Sequence, residues 1–391
     1  MSIVPRSLKV EVNPKVFKWL RESSGWSIED VAKRLKSSIE VVEAIEKGER
    51  QPTFRQLKEL SNAYKRPLAS FLLSVPIKER PLPKDYRMLS GKKDVFDKST
   101  IYIIRKVRNL QEISKELSIN INYPTKPKVK RVTIKQNPED ISAYYRELFE
   151  LTEKKQRKYG TPYEMFRYLR DNFEEMNILI FQFPMPIDDA RAFALTDDLP
   201  NVIVVNKKDT IEARLFSLMH EFGHVLLGET VIDFPDISIL VDNRKELWCN
   251  TFASSFLLPK KIANSVFKTE RKALTETNTL NRLSRKYKVS KAMLLYNMLK
   301  QNFITRKEYE AILERYRPEE TEPVDEGDED KEEKKGGGIP SDRRCLSEVG
   351  NKFISIVANN YDRNYITFTD ALNYLSIRSK NFDQVLAKAR K

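Results

Sequence analysis

The spacing of apolar positions changes along the chain, and the change divides it. Between about Val10 and Leu73 they recur in short helical stretches broken by tight turns, which predicts a bundle of short helices. Pro76, Pro81 and Pro83 then predict an extended connector, because proline fixes φ and restrains the residue before it. Ile103, Ile104, Val107, Leu110, Ile113 and Leu117 fall at helical spacing and predict one helix over about Ser99 to Leu117. The run from Tyr123 to Lys130, with two prolines and several lysines, reads as a second linker.

From about Arg131 to Tyr316 both periods occur. Helices are expected at about 138–156 and 162–175, and strands at 177–183, 191–196 and 201–206. A helix is expected from about Thr210 through Leu227, closed by Gly228, and another from about Arg244 to Leu258, stopped by Pro259. Further helices fill 275–316. The stretch Val202-Ile203-Val204-Val205 is taken as a sheet edge on which an extended peptide adds as a strand. Pro318 to Gly338 is acidic and then glycine-rich, the composition of a flexible linker, and the segment after it is helical again. No internal repeat is evident, although both ends contain helix–turn–helix-like spacing. The expected plan is mainly α with a small β-sheet. It comprises a helical domain at 8–74, a connector with one helix at 75–130, a mixed domain at 131–316, a linker at 317–340 and a helical module at 341–391.

Composition narrows the setting. A chain of 391 residues has room for two or three domains. It has no apolar run near the ~20 residues of a membrane span. The start Met1-Ser2-Ile3-Val4-Pro5-Arg6 lacks an apolar signal core, and Cys249 and Cys345 lie far apart. A reduced, cytoplasmic protein without membrane contact is expected. The net charge of +14 is uneven: Glu319 to Lys335 holds ten acidic and three basic residues, leaving about +21 elsewhere. Such an excess favours polyanionic partners, nucleic acid among them, through counterion release.

The only two histidines stand four apart, in His220-Glu221-Phe222-Gly223-His224. On a helix that spacing puts both imidazoles on one face, where they can hold Zn²⁺ with the intervening glutamate as general base. Catalytic zinc takes three protein ligands and keeps one position open. With no third histidine, the third ligand must be a carboxylate or a thiolate. Glu246, about twenty residues on and at the start of the next expected helix, is preferred; Asp233, Asp236 and Asp242 come next, and Cys249 last. Glu221 is expected to accept a proton from the attacking water and pass it to the leaving amine, which requires no covalent intermediate.

In the N-terminal region Ser27-Ile28-Glu29-Asp30 fits a capping box, and a second helix closes at Gly48. Val16, Leu20, Ile28, Leu35, Val42, Ile45, Leu57, Leu60 and Phe71 are the expected core. The segment Glu46-Lys47-Gly48-Glu49-Arg50-Gln51-Pro52-Thr53 resembles the Cro-type helix-turn-helix signature. A recognition helix offers polar donors near its N-terminal end. This one offers Ile39, Glu40, Glu43 and Ala44, so its candidate DNA contacts are Lys36, Ser37, Ser38, Glu40, Glu43, Lys47 and Arg50.

The stretches Ala192-Phe193-Ala194-Leu195, Val202-Ile203-Val204-Val205-Asn206 and Ala213 to His224 resemble the ImmA/IrrE metallo-endopeptidases. So do Glu246-Leu247-Trp248-Cys249-Asn250-Thr251-Phe252-Ala253 and Phe256-Leu257-Leu258-Pro259, with Cys249 and Leu258 standing where that family has alanine and methionine. The resemblance implies a zincin-like domain with Glu246 as third zinc ligand, an HExxH…E gluzincin-type site. Long members place a Cro-type domain of five helices before it, joined by a segment like Arg80 to Arg87, and a tail like Gly336 to Leu375 after it. It also implies a protein substrate, a DNA-binding repressor or an antitoxin-like partner, whose cleavage controls gene expression. The alternative is a non-proteolytic DNA-binding regulator or antitoxin whose metal domain senses a ligand or holds a partner. Oligomeric state is left open.

Overall fold

Short helices with their own caps build the N-terminal region. The computed structural model describes residues 8–78, 84–85, 96–233, 244–315 and 341–389. Helices α1 (Pro14–Glu22), α2 (Ile28–Leu35), α3 (Ile39–Glu46) and α4 (Phe54–Tyr64) precede a 3-10 helix at Leu68–Leu72, which is the fifth helix of the expected set. Ser27 and Asp30 cap α2 reciprocally, as Thr53 and Gln56 cap α4, so the chain satisfies the first N–H groups of each helix locally. The core is built from Val16, Leu20, Val42, Ile45, Leu57, Leu60 and Phe71, as expected, together with Phe17 and Tyr64. Ile28 and Leu35 lie at its margin.

The chain divides into two compact units, Met1–Leu82 with Lys92–Arg108, and Pro83–Gly91 with Asn109–Lys391. The connector helix α5 (Lys98–Asn120) is longer than expected and contributes to both units. In the first unit its Lys98 pairs with Asp30 at 2.7 Å, and Arg105 donates to the Tyr64 carbonyl at 2.9 Å. The segment around it was expected to be an extended linker. A two-residue strand, β1 (Lys84–Asp85), is the part of that segment the structure describes before residue 96.

The second unit is built around a five-stranded sheet of order β1-β5-β3-β4-β2, with β2 at Ile178–Phe183, β3 at Ala192–Leu195, β4 at Asn201–Asn206 and β5 at Val231–Asp233. β2 runs parallel to β4, β3 runs antiparallel to both β4 and β5, and β1 runs parallel to β5. This corrects the reading of Val202–Val205 as an open edge. β4 pairs with β2 on one side and β3 on the other, so its backbone groups are already used and no peptide can add there. Every residue of β2, β3 and β4 is buried, which explains continuous apolar runs instead of alternation.

Both faces of the sheet are covered. Ile178, Ile180, Ala194, Ile203 and Val205 share a core with α8 (Pro162–Glu175), α9 (Ile211–Leu227) and α10 (Arg244–Leu257). The expected helix at 138–156 is two helices, α6 (Pro138–Leu148) and α7 (Glu153–Lys158), because Glu150 turns left-handed and Thr152 caps a new start. After Pro259 comes a helix not anticipated, α11 (Lys260–Thr269), then α12 (Thr277–Tyr287), α13 (Lys291–Lys300) and α14 (Arg306–Glu314). The linker at 317–340 lies outside the described residues. The C-terminal helices α15 (Ser341–Asp362), α16 (Phe368–Leu375) and α17 (Phe382–Ala389) belong to the second unit, where Phe353 packs edge-on against Phe181 of β2 at 5.8 Å. Among the described residues no helix is long and apolar enough to cross a membrane.

Candidate metal centre

The helix that carries both histidines is specified by its ends. The Thr210 side chain accepts from the Ala213 N–H at 3.4 Å, and Gly228 closes α9 in the left-handed region. Leu215, Leu218, Met219, Phe222, Val225 and Leu226 form one buried apolar stripe along it, and the face that carries Ser217, His220, Glu221 and His224 is buried as well. Because elements cover α9 on both faces, its polar residues are carried into the interior with it. His220, Glu221 and His224 are each 0% exposed.

Helix α10 lies against α9 and supplies the third group. His220 Nε2 stands 3.1 Å from Glu246 Oε2, His224 Nε2 stands 3.2 Å from Glu246 Oε1, and the two Nε2 atoms are 3.1 Å apart. Their ligand atoms all lie within 4.8 Å of one another, the one such group of three among the described residues. Asp236 and Asp242 lie outside the described residues, as does the side chain of Asp233. Cys249 is buried but turned to a different task, against Gly223. A Cβ at Gly223 would fall 2.9 Å from Cys249 Sγ and 3.3 Å from its Cα, so glycine inside the HExxH sequence is what lets the two helices approach.

A residue without an assigned role from the sequence completes the arrangement. Asn250 Oδ1 stands 2.9 Å from His220 Nδ1, with both side chains buried. With that oxygen accepting, the His220 proton sits on Nδ1 and Nε2 keeps a lone pair. The signal was present in the spacing, since Glu246 and Asn250 are four apart on one helix and so share a face. The donor set suits a divalent cation of intermediate softness. Two imidazole nitrogens and one carboxylate converge from two helices, the N,N,O set that zinc accepts with a position left over. Without a cation, the buried carboxylate would face the lone pair of His220 Nε2, an expensive arrangement.

The N-terminal candidates cluster around the helix–turn–helix. Lys36 holds the left-handed turn after α2, Ser38 is the N-cap of α3, and Lys47 and Arg50 follow that helix, all exposed. Ser37 is half-buried in the turn. Glu40 in the first turn of α3 is held below the usual carboxylate range by the Ser38 hydroxyl, so it stays charged. Glu43 faces Lys47 at 3.5 Å, which spends one of the two cations at the end of the helix on a neighbour.

Comparison with known families agrees with this division. Residues 17–71 match the family described as helix-turn-helix, and residues 173–299 match the one described as IrrE N-terminal-like domain, of the M78 peptidases. No curated protein matches the chain significantly. The second match begins in α8 and ends in α13, so it contains the whole of α9, α10 and the three central strands. The chain therefore joins an N-terminal helix-turn-helix domain to an IrrE N-terminal-like domain of the M78 peptidase family.

Proposed function

We propose that the protein is a zinc-dependent endopeptidase of the cytoplasm that cleaves a DNA-binding repressor or antitoxin-like partner, with its helix-turn-helix domain serving DNA contact. The convergence of His220, His224 and Glu246 beside Glu221 carries this reading. His220, His224 and Glu246 would hold the zinc. When bound, zinc polarises the scissile carbonyl and makes water acidic enough to attack near neutral pH. Glu221, fully buried directly after His220, takes the water proton and returns it to the departing amine. Asn250 keeps the His220 ring turned with Nε2 inward. The burial around these groups excludes bulk water and strengthens each electrostatic contact.

The complete burial of His220, Glu221 and His224 favours one second reading, a metal domain that senses or holds a partner without cutting it. One substitution separates the two. Glu221→Gln keeps the three metal-holding groups and removes the base. Under the proposal it binds zinc at wild-type stoichiometry and loses cleavage of a co-incubated repressor or antitoxin substrate by about a hundredfold or more. Regulation that survives Glu221→Gln unchanged in cells would sink the proteolytic reading.

A further inference from the structure

The last three helices repeat the geometry of the N-terminal helix–turn–helix, 340 positions later. Thr367 caps α16 and shares a reciprocal box with Asp370, as Ser27 does with Asp30 for α2. Both helices have 8 residues. Each ends on a left-handed residue, Lys36 at φ 51, ψ 45 and Ser376 at φ 53, ψ 41. The same two bonds close each turn. The N–H of Lys36 donates to Lys33 and that of Ser37 to Ala32, as Ser376 donates to Asn373 and Ile377 to Leu372, all at 3.0–3.2 Å. The next helical segment begins at Ile39 in one case and Ser379 in the other, where a 3-10 turn leads into α17.

The inward-facing positions match as well. Val31, Val42 and Ile45 are buried in the first motif, and Ala371, Phe382 and Val385 in the second. The preceding helix ends at Glu22 in one and Asp362 in the other, and buries Val16 and Phe17 where α15 buries Ile356 and Val357. The left-handed residue and its two bonds fix how the chain leaves the first helix, so the agreement extends beyond helix count to the turn itself. Among the cap, turn and core positions only Asp30/Asp370 and Leu35/Leu375 keep the same residue, which is why the sequence shows helix–turn–helix-like spacing at both ends but no residue-level repeat.

The two motifs differ on their outer faces. Where α3 offers Ile39, Glu40, Glu43 and Ala44, the C-terminal motif offers Ser379, Lys380, Asp383 and Gln384, with Arg378 just before them, all exposed. Lysine reads guanine, glutamine reads adenine and aspartate accepts from cytosine N4, while arginine and lysine also hold phosphates. We propose that residues 354–389 form a second helix-turn-helix that docks in the major groove of duplex DNA through Arg378, Ser379, Lys380 and Gln384. Phe353 seats these helices on β2, so DNA held here anchors the unit that contains the metal centre.

The test uses the full chain and a random-sequence DNA duplex, with binding followed by fluorescence anisotropy over a salt series. The double variant Arg378→Glu/Lys380→Glu is expected to weaken binding about tenfold or more and to reduce the slope of log affinity against log salt by about two. Gln384→Ala is expected to change the base preferred at one position in duplexes selected from a randomised pool. Zinc content and thermal melting confirm that each variant is folded. If the double variant melts early, the single alanine variants Arg378→Ala and Lys380→Ala, each expected to lower the salt slope by about one, replace it. Folded variants with wild-type affinity and salt slope overturn the proposal and leave these helices as a surface for a protein.

Discussion

Two buried clusters of ionisable side chains lie in the same unit, and only one of them is suited to hold an ion. In the first, Arg170 pairs with Glu174 at 3.1 Å. The guanidinium also donates to the carbonyls of Leu346 and Ser347 at 3.0 and 2.7 Å and to that of Ile180, while Glu174 accepts from the Lys352 N–H at 2.8 Å. A guanidinium meets a carboxyl group, and carbonyls and an amide take up further hydrogen-bonding capacity. Gly350, at φ 78, makes the close approach feasible, since a side chain there would collide with both charged groups. In the second cluster two imidazoles and a carboxylate meet, and all three are electron-pair donors to a metal. Burial is equal in the two; the balance of donors and acceptors is not. A cluster that closes on itself holds structure together, and one built from groups that donate electron pairs is suited to a cation.

That contrast is open to attack from both sides. The largest effect is expected from Arg170→Met, which leaves Glu174 buried without its cation and costs about 3–5 kcal/mol in urea unfolding. A loss below about 1 kcal/mol would mean that the pair does not hold α15 to the sheet. Next, Asn250→Ala is expected to weaken zinc binding by 10–100-fold, about 1.4–2.7 kcal/mol, measured by competition with a chelator, while the melting temperature of the zinc-free protein changes little. Unchanged affinity would show that the His220 ring is oriented without this bond.

The smallest effect concerns pH. Burial pushes the Glu174 carboxyl up to about 7, against the opposing pull of Arg170. The folded value lies above the unfolded one, so the stabilisation is fully present below the ordinary glutamate range and is lost as pH rises through about 7. Between pH 6 and 8 this amounts to about 1 kcal/mol. Glu174→Gln should flatten that part of the stability profile, and an unaltered slope would assign it to other groups.

The histidine pair and the helix that bears it were legible because their information is local. Thr210, the apolar stripe and Gly228 bound α9 closely to the expected span. The strands at 178–183, 192–195 and 201–206 were legible for the same reason, as apolar runs too short for helices. Their neighbours in the sheet were not. Nothing within Val202–Val205 distinguishes a central strand from an edge, because partner order depends on crossovers made elsewhere. The role of Asn250 was hidden for a related reason, since an amide on a helix face gains meaning only from what it meets on the facing helix.

Chain order and side-chain chemistry alone dictate a bundle of short capped helices ahead of a mixed region, and the histidine pair on one helical face. Those features rest on interactions within a few residues, where spacing is distance. Tertiary structure decides the rest. It brings Glu246, the carboxylate preferred from the sequence, to the histidines, places β4 between β3 and β2, and brings α15 back onto that sheet through Arg170 and Glu174. It also turns the C-terminal helices into a second motif of the N-terminal kind, although the two share almost no residues. The physical reason is common to all four: burial and hydrogen-bond closure are satisfied between elements far apart in sequence, and many different side chains satisfy them equally well.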